Sequence, residues 1–298
     1  MDVVVVGAGI TGLACARELS AAGVDVRVVE RGRVVGGRLA SKRLDGRYAD
    51  IGAAYFVADD PEFHSLAERW QARGLARPWT GTFAVFPGEP ASGPMRWAAS
   101  GGLRSLAVDL AEGLDVRLGT ELNELPQAGH VVLAMPGPQA LRLNPPGLVA
   151  EAARGQAWEP VIAVVLTYRK KVWNLTGAFV NDSPVLTTVC DDGSRRGDDA
   201  PVLVAHTTPG LAREHLDNPA QAATIVAQAV GELLGITEKP QVHAHRWTYA
   251  QPQPQDGPFV RDGTVWLAGD AFGKPRVQTA WLSGRAVAQA ILSQSTDR

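Results

Sequence analysis

A chain of 298 residues is long for a single core and fits two lobes. With 45% hydrophobic and 20% charged residues it has an ordinary globular make-up, and a formal net charge of −2 gives neither nucleic acid nor an anionic membrane a reason to bind. Two cysteines, Cys15 and Cys190, exclude a disulfide framework or a thiolate metal centre and read as buried free thiols.

The apolar beginning could pass for a secretion signal. However, Asp2 follows the initiator methionine, no basic segment precedes the apolar stretch, and glycines interrupt it. No run reaches the roughly 18 apolar residues of a membrane span, so a cytoplasmic location is the default expectation.

Residues 2–6 contain four consecutive valines without alternation, the pattern of a parallel strand covered on both faces. After a run of glycines, 13–22 has helical composition, with Gly23 as its C-cap. Residues 24–30 alternate as a second strand, completing a βαβ unit. Further strands are expected at 116–122 and 130–135, the latter stopped by Pro136 and Pro138. The middle of the chain differs. Strands at 161–170, 178–190, 202–208 and 241–249 succeed one another, with one helix at 220–234, which suggests a mostly antiparallel second lobe. The polar stretch 191–199 reads as a solvated hairpin loop. A strand at 264–268, a glycine-proline loop and a helix over 279–292 close the chain. No internal repeat or low-complexity tail is present.

Gly7-Ala8-Gly9-Ile10-Thr11-Gly12 fits the dinucleotide pattern G-x-G-x-x-G, with a strand before it and a helix after. Gly7 permits the tight turn, Gly9 lets backbone approach a pyrophosphate, and Gly12 lets helix pack on strand. The helix N-terminus offers free N–H groups to the phosphates. Glu30 ends the second strand, where an acid can accept both hydroxyls of an adenosine ribose and would repel a 2′-phosphate.

The following residues, Glu30-Arg31 then Gly36-Gly37-Arg38-Leu39-Ala40-Ser41, resemble the ER-x(4)-GGR-x-x-S pattern of the amine-oxidase and phytoene-desaturase flavoproteins. Adjacent glycines let main chain crowd a diphosphate, and Arg38 adds a cation beside it. This second element favours non-covalent FAD over NAD. Leu267-Ala268-Gly269-Asp270, followed by Val277-Gln278-Thr279-Ala280-Trp281-Leu282-Ser283-Gly284, resembles the closing FAD motif of the same group. That resemblance implies that Asp270 bonds the ribityl chain and that the helix beginning near Thr279 points its N-terminus at flavin N1 and O2. Gly52, Ala53 and Leu122 complete the residues expected to touch the cofactor.

More specifically, Ala49-Asp50-Ile51-Gly52-Ala53-Ala54-Tyr55-Phe56, His245-Arg246-Trp247-Thr248-Tyr249-Ala250 and the C-terminal motif resemble the renalase-like enzymes, particularly bacterial ones. The lobe between Ala150 and Gln241 matches only in layout. The resemblance implies an FAD oxidase that takes hydride at flavin N5 from dihydronicotinamide nucleotide isomers and reduces O2 to hydrogen peroxide. Departures fall at Ala54, where relatives usually carry Gln, at Ser100-Gly101-Gly102-Leu103, and at Gln278-Thr279. Two of these are expected near the flavin face and bear on the substrate more than on the cofactor.

Hydride transfer asks the protein mainly for placement and dryness. Strand period places Gln241, His243, His245, Trp247 and Tyr249 on one face. Tyr55, His245, Trp247 and Tyr249 are therefore candidates to line a substrate pocket, with Phe56 as possible further wall. Core packing and a wet sheet face are the alternatives for these side chains. No metal is expected, because His243 and His245 lack acidic or cysteine partners at metal spacing. No nucleophile elbow supports a Ser-His-Asp triad. Lys170, Lys171, Lys239 and Lys274 are the only lysines placed to hold a water near N5, and none lies in a matching motif. An amine oxidase or desaturase-like oxidoreductase is the alternative reading, and a flavin-binding protein without turnover is a third.

The expected architecture is α/β: a discontinuous Rossmann-like FAD-binding domain (1–57, 98–145, 258–298) and a substrate domain on a mostly antiparallel sheet plus helices (58–97, 146–257). The expected partners are a small-molecule substrate and O2, with neither nucleic acid nor membrane; oligomeric state is not readable.

Overall fold

The computed structural model describes residues 2–296, the side chains of 295 and 296 excepted, and the chain divides into two compact units. Met1–Leu39, Arg104–Ala157 and Pro252–Arg298 form the first; Ala40–Leu103 and Trp158–Gln251 form the second. From sequence, 40–57 and 98–103 are expected with the cofactor lobe, and 146–157 and 252–257 with the other. Packing accounts for two of these differences. Ala40, Ala49 and Ile51 bury against Val165, Val202 and Val204 of the second unit. Val149 and Ala153 of the helix Gly147–Gly155 bury against Leu133, Leu143 and Leu267 of the first.

The first unit is built on a six-stranded sheet in the order Phe259–Asp262, Val265–Ala268, His130–Leu133, Asp2–Val6, Asp25–Val29, Asp115–Arg117. Every neighbouring pair is parallel except the outer hairpin of Phe259–Asp262 with Val265–Ala268. Val3 to Val6 are all buried, as an unalternating valine run in a covered parallel sheet requires. The helix Ile10–Ala21 starts at Gly9 and stops before Gly23, whose φ of +78° only glycine adopts readily. The closing helix is longer than expected, Val277–Thr296, and packs on the first one. Glycine makes that approach possible: a methyl on Gly284 would lie 2.0 Å from the Thr11 carbonyl oxygen. Arg285 pairs with Glu18 along the same seam (3.1 Å). The strand expected at 116–122 is only Asp115–Arg117, because Gly119 turns the chain with φ +65°.

The second unit carries an eight-stranded sheet in the order Gln241–Pro252, Trp158–Thr167, Val202–Thr207, Leu186–Asp191, Gly177–Val180, Arg77–Phe86, Ala91–Ala98, Phe56–Val57. Pairing is antiparallel from Trp158–Thr167 to Gly177–Val180 and from Arg77–Phe86 to Phe56–Val57, with one parallel join between Gly177–Val180 and Arg77–Phe86. The strand expected over 178–190 is two strands, split by a turn in which Asp182 has φ +55°. On one face Ile162, Val164, Leu166, Leu203 and Ala205 pack under Val226 and Val230 of the helix Pro219–Leu234. On the other, Ala163, Val165, Val202 and Val204 pack under the hairpin of Ser41–Leu44 and Arg47–Asp50. Strand alternation delivers the two sets to opposite faces.

The expectation of a solvated loop at 191–199 is overturned. Asp192–Arg196 is a short helix, capped by Asp191, whose carboxylate accepts from Ser194 N–H (2.9 Å), and ended by Gly197 at φ +80°. Asp192 and Arg195 are 0% exposed. These charges are buried because they pair with one another and with Asp50, more than a hundred residues away in the chain.

Candidate active site: a dinucleotide cradle and a pinned loop

In the first unit the glycine positions divide by role. A methyl on Gly12 would stand 2.0 Å from the Gly7 carbonyl oxygen and 3.1 Å from Val5, so its bareness serves helix-on-strand packing. Gly7 has φ +110° and faces the Ala134 carbonyl at 2.6 Å from a would-be Cβ. Around Gly9, by contrast, nothing lies within 4 Å of such a methyl. The helix begins there without a side-chain cap, so its first N–H groups face open space. A bare backbone, uncapped donors and room above them suit a diphosphate. Ala8, Ile10 and Thr11 are buried, their side chains supporting the turn.

The second element closes on the first. Gly36 N–H donates to the Ala8 carbonyl (2.8 Å), and Gly37, with φ +50°, comes close enough that its own Cβ would lie 3.4 Å from Gly9. Leu39 is buried beneath and donates its N–H to the Gly36 carbonyl. Glu30 accepts from Ala8 N–H through Oε2 (2.8 Å) and from Gly32 N–H through Oε1 (2.6 Å). Its remaining lone pairs can still accept ribose hydroxyls. Arg31 points to a surface pairing with Glu121 (3.7 Å). Leu122 packs part-buried on the core beside Leu133. The chain just before it runs along the Glu30 loop, with Thr120 N–H on the Glu30 carbonyl.

The third element meets the second directly. Arg38 forks onto Asp270, with Nη1 to Oδ2 at 2.7 Å and Nη2 to Oδ1 at 2.5 Å. The sequence reading assigned these two residues separately to diphosphate and ribityl chain; the structure couples them into a bidentate pair. Gly269 beside them has φ +155° and donates its N–H to Ser283 Oγ (2.9 Å). Val277, Gln278 and Ala280 are buried at the start of the closing helix, and Thr279 Oγ1 donates to the Lys274 carbonyl (2.6 Å).

In the second unit the unexpected finding concerns residues 50–55, which contain Gly52 and Ala53. This segment is pinned along the sheet face it crosses. Trp247 Nε1 donates to the Ile51 carbonyl (2.6 Å) and Arg195 Nη1 donates to the Ala54 carbonyl (2.8 Å), while His206 lies beside the Gly52 backbone. Asp50 anchors its start, accepting from Ser41 Oγ (2.5 Å), Leu103 N–H (3.2 Å) and Arg196 Nη2 (3.1 Å). Gly102 must be bare here, since its Cβ would sit 2.5 Å from Arg196 and 2.7 Å from Asp50. Burial pushes the Asp50 carboxyl up, partly offset by Arg195 and Arg196. Burial also opposes ionisation of Asp192, but Arg195, Arg196 and Arg47 outweigh it and hold that carboxyl below the usual range.

The register brings several side chains to the face that residues 50–55 cross. Ala163 pairs with His206, His206 with Thr188, and Thr188 with Phe179. Burial and Arg195 push His206 down to about 4, so it is neutral at pH 7, and its Nε2 is buried without a partner. Tyr55 is half-buried, edge-on to Phe83 at 5.5 Å, and burial raises its phenol. His245 and Trp247 touch at 4.5 Å between ring centroids, while Tyr249 meets Trp158 instead, at 6.2 Å. Trp247 is therefore tied to Ile51, four residues before Tyr55, at most about 14 Å of chain. Phe56 plays no part; it is buried among Phe63, Trp70 and Trp97. Cys190 is buried on the same face and its thiol is pushed up to about 11 by that burial; burial raises Cys15 as well, so both stay inert thiols.

Among the described residues no helix is long and apolar enough to cross a membrane. Residues 5–70 match the profile of an NAD(P)-binding Rossmann-like domain, and residues 72–292 match that of the flavin containing amine oxidoreductases. The chain is 48% identical to the putrescine oxidase of Kocuria rosea over 67 residues, which are 22% of this chain and 14% of that one. It is 34% identical to the 4,4'-diapophytoene desaturase of Staphylococcus haemolyticus over 89 residues, 29% of this chain and 18% of that one. The chain thus spans less than a fifth of either curated relative. Cyclohexylamine oxidase from Brevibacterium oxydans shares the fold, with a TM-score of 0.77 at 15% identity over 100% of this chain and 99% of that one. The second profile covers most of the sequence and the cradle fits the dinucleotide: the chain belongs to the flavin containing amine oxidoreductase family, with FAD as its cofactor.

Proposed function

We propose that this chain is a renalase-like oxidase that accepts hydride from dihydronicotinamide nucleotide isomers and passes the electrons to O2, giving hydrogen peroxide. When bound, FAD supplies the two-electron acceptor, so the protein's task is to seat a flat donor and keep water away. The observation that carries this reading is the pinned 50–55 segment. Its backbone is fixed by Trp247 and Arg195 and anchored at Asp50, which leaves the small Ala53 and Ala54 and the flat Tyr55 half-exposed. Small side chains and an aromatic ring make a smooth floor for a planar ring.

The lysines favour the same reading. Lys171 is spent on Asp191 (2.8 Å) and Asp199 (2.5 Å), while Lys170, Lys239 and Lys274 are exposed. None is left on the second unit's inner face to hold the water that a typical amine oxidase uses.

Anaerobic stopped-flow mixing of the flavin-loaded protein tests the proposal. Rapid bleaching by 2- or 6-dihydroNAD(P) is expected. Bleaching by amines alone moves the chain to the amine-oxidase reading, and a flavin that no donor reduces points to a binding protein without turnover.

A further inference from the structure

Three buried arginines approach the inner face of the second unit's sheet, and only two are matched by carboxylates. Arg195 and Arg196 face Asp50 and Asp192. Arg96, in the strand Ala91–Ala98, is 6% exposed, and no carboxylate of the described residues stands within ion-pair distance. Its guanidinium lies instead over aromatic rings, 4.1 Å from the Phe83 centroid, 5.4 Å from Tyr55 and 5.6 Å from Phe179. Ring faces attract the charge but do not take its N–H groups. Nε and Nη1 have no hydrogen-bond partner. Arg195 and Arg196 also keep a bare Nε, but each has carboxylates beside it; Arg96 has none, and the polar group nearest it is the Tyr55 phenol.

We propose that Arg96 is a specificity residue: it receives a planar oxygen acceptor of the substrate, a carboxamide or carboxylate, lying against Tyr55. This rests on the reading that the 50–55 segment floors the substrate site. Two consequences follow. A donor carrying a ring carbonyl gains a charged N–H donor in a dry setting. A protonated amine meets an uncompensated positive charge and is disfavoured. The same residue thus selects for dihydronicotinamide-type donors and against ammonium-type ones.

The test uses the flavin-loaded protein and three flat probes built on the same pyridine ring, nicotinamide, nicotinate and 3-methylpyridine, with binding read from the change in the flavin spectrum. Wild type is expected to bind nicotinamide or nicotinate about tenfold or more tightly than 3-methylpyridine; which of the two wins tells carboxamide from carboxylate. Arg96→Met should erase that preference while leaving 3-methylpyridine unchanged, and Arg96→Lys should restore part of the nicotinate affinity alone. Arg96→Gln serves the same comparison if the methionine variant loses its flavin or melts early. Equal affinities in wild type and variants overturn the proposal, as does a wild type that binds none of the probes. A wild type bleached by amines and not by dihydronicotinamides defeats the underlying reading separately, whatever the probes do.

Discussion

Gly9→Ala and Gly12→Ala are the same chemical change, three residues apart, with unequal expected effects on the apoprotein. At position 12 the added methyl lies 2.0 Å from the Gly7 carbonyl oxygen, so helix and turn must part by about 1.5 Å to reach ordinary contact. Overpacking of that kind costs about 1–3 kcal/mol, and the apoprotein melts lower by about 2–4 °C for each. At position 9 the methyl meets nothing within 4 Å, and φ −74° with ψ 175° suits any residue. The apoprotein should lose at most about 1 kcal/mol, from the poorer N-cap. With FAD the pair is expected to converge, because the Gly9 methyl would fill the open space where the diphosphate is expected. Wild type at an FAD excess of about 100 times its Kd gains about 2.7 kcal/mol, and both variants should forfeit most of it. Thermal melts of deflavinated protein, with and without added FAD, read all four numbers. A Gly9→Ala protein stabilised by FAD as fully as wild type refutes the placement of the diphosphate.

Three further outcomes are expected. Arg38→Ala removes a fork on Asp270 that is partly open to solvent, so stability should change by under about 1 kcal/mol while FAD affinity falls; unchanged flavin retention on dilution contradicts it. Asp192→Ala leaves Arg195 and Arg196 short of a counter-charge and should cost about 3–5 kcal/mol in urea denaturation, and a loss below about 1 would mean that the cluster is not a structural tie. His206, held near 4 against 6.5 in the unfolded chain, leaves the unfolded state binding more protons between those values. Stability therefore falls as pH drops from 6.5 to about 4, by at most about 3 kcal/mol; His206→Gln should flatten that slope, and parallel wild-type and variant curves speak against it.

The cradle was legible because its constraints are local. A tight turn, a close helix and an open phosphate space each demand glycine at a fixed offset, and Glu30, Gly36, Gly37 and Arg38 follow within a few residues. The Arg38–Asp270 pair was not legible, since nothing local announces that two opposite charges 232 residues apart will meet. Asp192 and Arg195 were misread for a related reason. Asp-Asp-Gly-Ser-Arg-Arg-Gly-Asp-Asp has the composition of a wet loop, and the partner that buries it, Asp50, belongs to a distant hairpin. Arg96 gave no signal at all, because its significance is the lack of a carboxylate, which only packing reveals. Tyr55 and Trp247 stand out in the sequence only as aromatics. The backbone bond from Trp247 to Ile51, which relates them, has no sequence signature.

The convergence of three chain segments on one FAD is tested most directly by the visible spectrum of the purified protein, followed by analysis of what denaturation releases. The account predicts a yellow protein that yields a single unmodified FAD per chain to the supernatant. A colourless protein that takes up no added FAD, or a flavin that stays attached to the denatured chain, contradicts it.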